Sequence, residues 1–322
     1  MISFVLSLQV VISLRSSFSD YFLSQYDSLV LENQVLTGFN QEGCWVHDSV
    51  FNNMQSGCIS VSTNTNIVIE NSLFYCCVNS GPAVLSFSST LKGCVVSRVC
   101  SYDCYSSLNS YGQILIISTD GDQKCLTSCF TKATYQNNRG MFTLFENGIQ
   151  HVSQCNYSFL SSSRYSDSYM KNAVNGKMEY STHSNNVATS YICLGFAYGT
   201  QDVVFNNVIN NSCPASSYAV FYNDYHGETY ASNCVFYINN GVYFGHYGGV
   251  MKISNSWSDK TTYYQHNSEG SISIDVYAND HRGHTLNHFS TAYCYGLQEL
   301  STLTRNSRFG FEKIGVFITL IQ

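Results

Sequence analysis

Two short groups of carboxylates are the part of this chain that could perform acid–base chemistry. The first contains Asp120 and Asp122, separated by one glycine and followed by Lys124. Enzymes that cleave polysaccharides use clustered carboxylates with Lys or Arg to bind calcium, abstract a proton or hydrolyse a glycosidic bond. Asp-Gly is also a strong turn signal, and a turn between strands is the interpretation we favour.

The second group contains Asp224 and Glu228 with His226 between them. These residues follow a short apolar run, which again favours a solvated turn. For neither group does a second carboxylate pair, with an arginine next to it, lie one repeat further along the sequence. We therefore predict no catalytic residue, and Asp120, Asp122, Asp224 and Glu228 remain the candidates that a polysaccharide lyase or glycoside hydrolase would require.

The metal-ligating residue types do not form a recognisable centre. Of the 14 cysteines, Cys100/Cys104 and Cys125/Cys129 have three-residue spacers, but no second Cys pair or His pair completes a zinc pattern. The remaining alternatives for the cysteines are small buried core residues, which we favour, and disulfides between neighbouring repeats.

Three histidines near the C-terminus, His281, His284 and His288, would share one helical face. No carboxylate or cysteine lies among them, so an exposed cap is favoured over a metal site. We predict no metal and no cofactor.

The composition excludes several classes of protein. Only 11% of the 322 residues are charged, while 25 are tyrosine and only two are proline. This mixture is typical of many short strands joined by polar turns, and differs from helical bundles and disordered chains. The 15 Lys and Arg residues form no run and the net charge is -6, so a nucleic-acid partner is not expected.

A six-residue motif recurs along the chain and predicts its architecture. Its positions are apolar, any, Asn-like, Ser/Cys/Asn, any and large apolar. The copies lie at 46–51, 69–74, 91–96, 125–130, 152–157, 204–209 and 231–236. A repeat of roughly 22 to 34 residues in a strand-rich chain indicates a solenoid. Gly-entered strands between the copies, such as 57–61 and 249–253, predict three short strands per coil.

The expected fold is all-β: a right-handed parallel β-helix of about 8–10 coils over residues 44–280. Asn-like residues tolerate left-handed backbone, so they are predicted to turn a corner of each coil. The predicted corner residues are Asp48, Asn71, Gly93, Asn206 and Asn233. The inward ladders are predicted to contain Ser49, Ser72, Cys94, Cys129, Cys155, Cys234, Phe51, Phe74, Val96, Phe130 and Phe236.

The motif resembles the pectin-lyase-like right-handed β-helix superfamily. Asn233-Cys234-Val235-Phe236 and Asn71-Ser72-Leu73-Phe74 are most similar to the Cys-, Ser-, Asn- and Tyr-rich β-helix surface proteins of protozoan parasites, and to polymorphic-outer-membrane-protein repeats. The resemblance is specific for fold rather than for chemistry. It implies a non-enzymatic protein with an adhesion or display role.

Glycans or host and cell-surface proteins are the expected partners. Tyrosines are suited to binding, and several lie in loop-like stretches, such as Tyr165, Tyr169, Tyr225 and Tyr247. Ordinary sheet-face tyrosines are the alternative.

The two ends of the chain are predicted to lie outside the repeats. Residues 1–19 are a possible signal peptide, because the apolar run 2–14 has the length of a signal-peptide core; an N-terminal strand or cap is the alternative. Residues 20–43 are a predicted cap, and 281–322 are a predicted cap or tail. The possible signal peptide makes a secreted or cell-surface location the expectation. No apolar run is long enough to form a transmembrane helix. Asn156 and Asn210 match the N-glycosylation pattern, although both overlap the structural motif.

Overall fold

The computed structural model describes residues 18–39, 41–107, 113–135, 141–165, 167–214, 218–266 and 269–277. It is nearly all-β, with 58% of residues in strands and 1% in helix, and its strands stack in parallel into a β-solenoid of about eight turns. The predicted all-β parallel solenoid is therefore confirmed. Each coil runs through four rows of stacked strands, named here rows A to D, rather than the three strands that the sequence predicted.

Rows A and B form two neighbouring faces of the solenoid. Row A contains Ile59–Val61, Leu85–Ser89, Leu115–Thr119, Thr143–Glu146, the starts of Ser168–Glu179 and Leu194–Val204, Phe221–Asp224, Phe244–His246 and Tyr263–Gln265. Row B contains Tyr26–Leu29, Gly43–His47, Asn66–Glu70, Cys94–Ser97, Asp122–Leu126, Ile149–Ser153, the ends of Ser168–Glu179 and Leu194–Val204, Glu228–Ser232, the start of Val250–Ser258, and Ser271–Tyr277.

Rows C and D complete each coil. Row C contains Val50–Asn52, Leu73–Tyr75, Cys100–Tyr102, Cys129–Thr131, Asn156–Ser158, Thr182–Ser184, Asn207–Ile209, Val235–Tyr237 and the end of Val250–Ser258. Row D contains the two-residue strands Val78–Asn79, Tyr105–Ser106, Thr134–Tyr135, Ser161–Ser162, Val187–Ala188, Ser212–Cys213 and Asn240–Gly241. A short 3-10 turn, Phe18–Asp20, precedes the first strand.

A single left-handed residue turns the chain from row B into row C in nine successive coils. Asp48, Asn71 and Asn233 have φ values of 48°, 46° and 55°. The residues with positive φ at this corner are Asp48, Asn71, Arg98, Thr127, Gln154, Tyr180, Phe205, Asn233 and Asn255. Only some of these types tolerate this backbone well, so position in the coil outweighs residue preference.

The residue after this corner points inward and forms a polar ladder. It is Ser49, Ser72, Val99, Ser128, Cys155, Ser181, Asn206, Cys234 and Ser256 in successive coils, all at most 1% exposed. The Ser72 hydroxyl donates to the Glu70 carbonyl at 2.8 Å. Hydroxyls of this ladder also accept hydrogen bonds: that of Ser181 accepts one of 3.1 Å from the backbone N–H of Cys155 in the preceding coil. This ladder satisfies polar groups that the corners would otherwise leave unpaired.

Gly93, Cys94 and Val96 lie before the corner of their coil, and not at and after it as the sequence predicted. Cys94 pairs with Ile67 and Val96 pairs with Ile69, which places both in row B before the corner. Gly93 therefore precedes row B, and Arg98 is the corner of that coil, with φ 52°. The sequence placed the corner at the glycine because arginine carries no turn signal.

Two further positions are shifted by one residue. Cys129 pairs with Cys100 and Asn156 on the outward side of row C, while the preceding Ser128 occupies the polar ladder. Asn206 also belongs to that ladder, because Phe205 has the left-handed backbone, with φ 55°.

Large side chains fill the interior along row C. Phe51 and Phe74 stack with ring centroids 4.6 Å apart and planes 2° apart. The same column of paired positions runs from Phe74 through Ser101 to Phe130, and Phe236 lies in it further along the solenoid. Row C supplies much of the apolar core, and Cys94 of row B is also part of it.

A buried amide ladder closes the corner between rows C and D. The side-chain oxygen of Asn211 accepts from the Asn186 backbone N–H at 3.0 Å, and that of Asn239 accepts from the Asn211 backbone N–H at 2.8 Å. Beside it, Asp167 accepts hydrogen bonds of 2.8 Å from His183 and 2.9 Å from the Asn186 amide. All these side chains are at most 2% exposed, so they hold the interior in one register.

The cysteines are mainly small core residues. Twelve of the described cysteines are free thiols, and of these only Cys76 is not buried. The sulfurs of Cys125 and Cys155 lie 3.6 Å apart in the core. Desolvation raises the pKa of the Cys234 thiol to about 12.

The first part of the chain packs on the outside of row B. Phe18 is fully buried, and its ring lies 4.5 Å from that of Tyr26. Tyr26–Leu29 pairs in parallel with Gly43–His47, so the stack begins inside the predicted cap 20–43. The predicted signal segment up to residue 17, and the predicted tail 281–322 with its three histidines, lie outside the described residues.

Candidate functional site: an aromatic ridge beside Asp224

The first predicted carboxylate pair is an ordinary surface turn. Asp120 is exposed and Asp122 starts a row B strand, where its carboxylate lies 3.8 Å from the ammonium of Lys124. Gln123 is buried between these two residues, and its amide donates to the Thr119 and Glu146 carbonyls at 2.9 and 2.7 Å. The segment is thus organised around a structural amide.

The second predicted pair is divided by a turn. Asp224 ends a row A strand and is 3% exposed, whereas Glu228 starts the next row B strand and is exposed. Tyr225 and His226 between them have φ values of 46° and 56°. The hydroxyl of Tyr230 donates to Glu228 at 3.1 Å. The two carboxylates therefore have different surroundings, and only Asp224 lies among aromatic rings.

Tyrosine and glycine alternate along the outer side of row A next to Asp224. Tyr169, Gly195, Tyr222, Gly245 and Tyr264 occupy one register in five successive coils. A Cβ atom on Gly195 would lie 2.5 Å from the Tyr169 ring, and one on Gly245 would lie 2.6 Å from the Tyr222 ring. The rings of Tyr169 and Tyr222 therefore occupy the space beside the glycine of the next coil.

This arrangement brings a phenol to the Asp224 carboxylate. The Tyr169 hydroxyl donates to Asp224 Oδ2 at 2.9 Å, and Tyr169 is 5% exposed. Burial raises the pKa of Asp224 to about 6, although the Tyr169 hydrogen bond and the backbone N–H of Tyr225 both act to lower it. Burial also raises the pKa of Tyr169, which is thus a firm hydrogen-bond donor.

Further rings continue from Asp224 along the turn between rows A and B; three of them are exposed, and that of Tyr247 is partly buried. We call Tyr198, Tyr225, Tyr247 and His266 the aromatic ridge. Tyr198 and Tyr225 stack with centroids 5.5 Å apart and planes 10° apart. Tyr225 meets Tyr247 edge-on at 5.5 Å, and Tyr247 lies 4.6 Å from the ring of His266. The ridge thus presents four rings from four successive coils parallel to the solenoid axis.

Two of these tyrosines occupy strained backbone positions. The same turn contains Asn147 and Asn172 in the two preceding coils, with φ values of 67° and 53°. Tyr198 and Tyr225 follow with φ values of 49° and 46°, and they are 39% and 43% exposed. Left-handed backbone costs a bulky residue about 1–2 kcal/mol relative to its usual conformation. Bulky residues are left-handed at other corners too, among them Tyr180 and Ile238. Tyr198 and Tyr225 differ from these because their rings are in line with the further rings of Tyr247 and His266 at the same turn.

A second aromatic group lies where the chain enters row A. Tyr191 lies 4.8 Å from the ring of Tyr165 and 3.6 Å from that of Tyr218. The guanidinium of Arg164 lies 4.6 Å from the Tyr191 ring centroid. Tyr165 is buried and the other two tyrosines are partly buried, and they pack with Ile192 and Ala219 into a small apolar cluster outside the main core. The group supports row A from one side while the ridge borders its other side.

The two glycosylation candidates have different accessibility. Asn156 is 7% exposed within row C, between Cys129 and Thr182. Asn210 is exposed at the row C to row D corner, where its amide donates to Asn185 at 2.6 Å. Folding therefore leaves the Asn210 side chain accessible and encloses that of Asn156.

The sequence indicated Tyr225 and Tyr247 as binding candidates and Asp224 as a carboxylate candidate. It did not indicate Tyr198 or His266, which lie next to them in the structure. The available signal was the recurrence of Tyr and Gly at coil spacing, as in Tyr198-Gly199 and Tyr247-Gly248. That signal needs the row A register, which the six-residue motif does not provide. Among the described residues, no group of three or more His, Cys, Asp or Glu could hold a metal ion.

Comparison of the chain with protein-family models, with curated proteins and with solved structures gave no match. Within the described ranges, no helix is both long and apolar enough to cross a membrane.

Proposed function

We propose that this protein is a non-enzymatic β-solenoid that acts in adhesion or display, and that it binds glycans on the aromatic ridge. Sugar rings have flat apolar faces and polar edges. Exposed tyrosines match both, because they offer an apolar ring and a polar hydroxyl at a small entropic cost. A secreted or cell-surface location, and kinship with pectin-lyase-like surface proteins, belong to this proposal.

The observation that carries the proposal is the replacement of asparagine by exposed tyrosine at two strained corners. Asn147 and Asn172 show which residue the backbone favours at this turn. Stacking within the solenoid does not require tyrosine there, since the turn closes in both earlier coils without it. A ligand that contacts the rings provides a reason for accepting the strained backbone.

The geometry of the ridge also favours a chain-like ligand. Its rings come from successive coils, whose spacing is about 4.8 Å along the axis. A ligand with repeating units can contact several rings at once, so weak individual contacts add up. Loops and turns that present such side chains on a rigid scaffold are common binding sites.

One observation favours a second candidate function, glycoside hydrolysis. Asp224 is a buried carboxyl group with a pKa raised to about 6, and it lies beside the proposed binding surface. A general acid requires a pKa near the working pH. Glu228, the predicted partner, lies on the other side of the turn and is bonded to Tyr230.

A binding assay with the purified chain tests the proposal. Wild type and a Tyr198→Ala/Tyr225→Ala double variant would be applied to an array of glycans and to intact cells. We expect the double variant to lose at least about 10-fold in affinity, as removal of two stacking rings implies. Tyr180→Ala is the matched control, because Tyr180 is 42% exposed and stacks on Phe205 at 5.2 Å at another corner.

Two outcomes would contradict the proposal. Equal binding by wild type and the ridge variant would remove the ridge from the binding surface. Release of reducing ends from any bound glycan, abolished in Asp224→Asn, would establish the hydrolase in place of the non-enzymatic function.

A further inference from the structure

The aromatic ridge lies in an acidic part of the described solenoid. Residues 194–277 contain six acidic residues, Asp202, Asp224, Glu228, Asp259, Glu269 and Asp275, and only two basic ones, Lys252 and Lys260. This segment accounts for four of the six net negative charges of the chain. The part of the solenoid that carries the ridge is therefore net negative.

Three of these carboxylates border the ridge itself. Asp224 ends the strand that leads into Tyr225, and Glu228 begins the strand that leaves the same turn. Glu269 Oε2 lies 3.8 Å from Nδ1 of His226, whose ring borders Tyr247 at 6.3 Å. A ligand on the ridge would therefore approach carboxylates from the row B side and from the C-terminal end.

The two nearby cations are turned toward other rings. The ammonium of Lys252 lies 5.7 Å from the Tyr230 ring, and that of Lys260 lies 5.5 Å from the Tyr243 ring. Neither ring belongs to the ridge. The ridge thus has carboxylates beside it and no lysine or arginine directed at it within the described solenoid.

We propose that the ridge selects glycans by charge, so that it takes neutral or amino-bearing chains and rejects chains of uronic acids. This inference rests on the proposed glycan binding and names the class of ligand. Like charges placed together at an interface repel and weaken binding, whereas exposed tyrosine faces attract ammonium groups. The selection is electrostatic, so salt is expected to weaken it.

The experiment uses β-linked hexamers that share one backbone and differ only in charge. Hexamers of glucose, glucosamine and glucuronic acid, and the corresponding galacto series, are titrated into the full chain at low and high salt. We expect the uronate hexamer to bind at least about 10-fold more weakly than its neutral counterpart at low salt, and this difference to shrink at high salt. The amino hexamer is expected to bind at least as tightly as the neutral one.

A charge variant locates the effect. Glu228→Gln/Glu269→Gln is expected to bring the uronate hexamer several-fold closer to the neutral one, because both substitutions keep size and remove charge. Asp122→Asn is the control: Asp122 is about half exposed, and it lies in an earlier coil beside Lys124. We expect it to leave the ratio unchanged.

A uronate hexamer that binds as tightly as the neutral one at low salt would overturn the charge selection while leaving glycan binding in place. An unchanged ratio in Glu228→Gln/Glu269→Gln would overturn it as well. Failure of every hexamer to bind would overturn the proposed function and this inference with it.

Discussion

The hydroxyl of Tyr169 donates a hydrogen bond of 2.9 Å to Asp224, two coils further along the solenoid. The contact spans 55 residues of sequence and passes over Gly195, which lies in the coil between them. Only a residue without a Cβ leaves room there for the phenol ring. A glycine in one coil thus sets the environment of a carboxylate in the next.

Adding a methyl group under the Tyr169 ring is expected to destabilise the protein. In Gly195→Ala the new Cβ would lie 2.5 Å from Tyr169 Cδ2, so the ring must move away from Asp224. Overpacking of this kind costs about 1–3 kcal/mol, which denaturant unfolding would measure. Gly38→Ala is the control, since nothing lies within 4 Å of its added Cβ. Equal stability of the two variants would contradict the packing described here.

Asp224 is expected to make stability depend on pH. Burial raises its pKa from 3.8 to about 6, so ionising it disfavours the folded state. The penalty is absent below about pH 4, where the residue is protonated in both states. It grows as the pH rises to about 6, reaches on the order of 3 kcal/mol and then stays constant.

Asp224→Asn keeps an acceptor for Tyr169 and removes this titration. Relative to wild type, the variant should become more stable as the pH is raised from 4 to 7.5, as measured by urea unfolding at each pH. A difference between the two proteins that does not change with pH would show that Asp224 is not buried as described.

Asparagine at the strained corners should separate stability from binding. In Tyr198→Asn and Tyr225→Asn the left-handed backbone becomes less costly, so we expect each to gain up to about 1 kcal/mol in unfolding free energy. The loss of stacking between the two rings will offset part of this gain. Glycan binding should nevertheless fall, because the exposed rings are gone.

Tyr180→Asn provides the comparison for this pair. Tyr180 has φ 51°, and its ring also stacks on an aromatic neighbour in the next coil. We expect the same stability change with binding retained. Loss of binding in this variant too would mean that the effect comes from the solenoid as a whole rather than from the ridge.

Two buried cysteines should respond differently to serine. Cys155 lies in the polar ladder, where serine occupies the equivalent place in other coils, and its sulfur already lies 3.4 Å from the Ser153 carbonyl. Cys155→Ser should therefore cost less than about 1 kcal/mol. Cys94 is fully buried and pairs with Ile67 in the apolar core, so Cys94→Ser should cost about 1–3 kcal/mol. Thermal unfolding of both variants measures these losses of stability. Equal losses of stability in the two variants would contradict the placement of Cys155 in the polar ladder.

Much of the fold could be predicted because neighbouring coils repeat the same local demands. A corner needs left-handed backbone. Asp48, Asn71 and Asn233 indicate a corner in the sequence, because Asp and Asn tolerate this backbone better than most residues. The predicted corner and ladder positions were displaced along the sequence where the corner residue is Arg98, Thr127 or Phe205, because Arg, Thr and Phe do not indicate a left-handed corner. There the stacking of the neighbouring coils, rather than local preference, imposes the conformation.

The candidate site was much less accessible to sequence reasoning. Tyr225 and Asp224 could be named, but nothing in the sequence linked Tyr169 or His266 to them. The turn that carries Tyr198 and Tyr225 also follows row A, whose register the six-residue motif leaves undefined. Burial of Asp224 and the exposure of Tyr225 next to it are properties of the assembled coil.

The sequence by itself determined that this chain stacks short parallel strands into a solenoid, because alternation and corner residues are local features that recur in every coil. Only the tertiary structure decided which outward side chains become neighbours. That depends on the number of residues in each intervening turn, which varies from coil to coil. The aromatic ridge and the carboxylates around it exist because several such turns together bring distant residues into line along one axis.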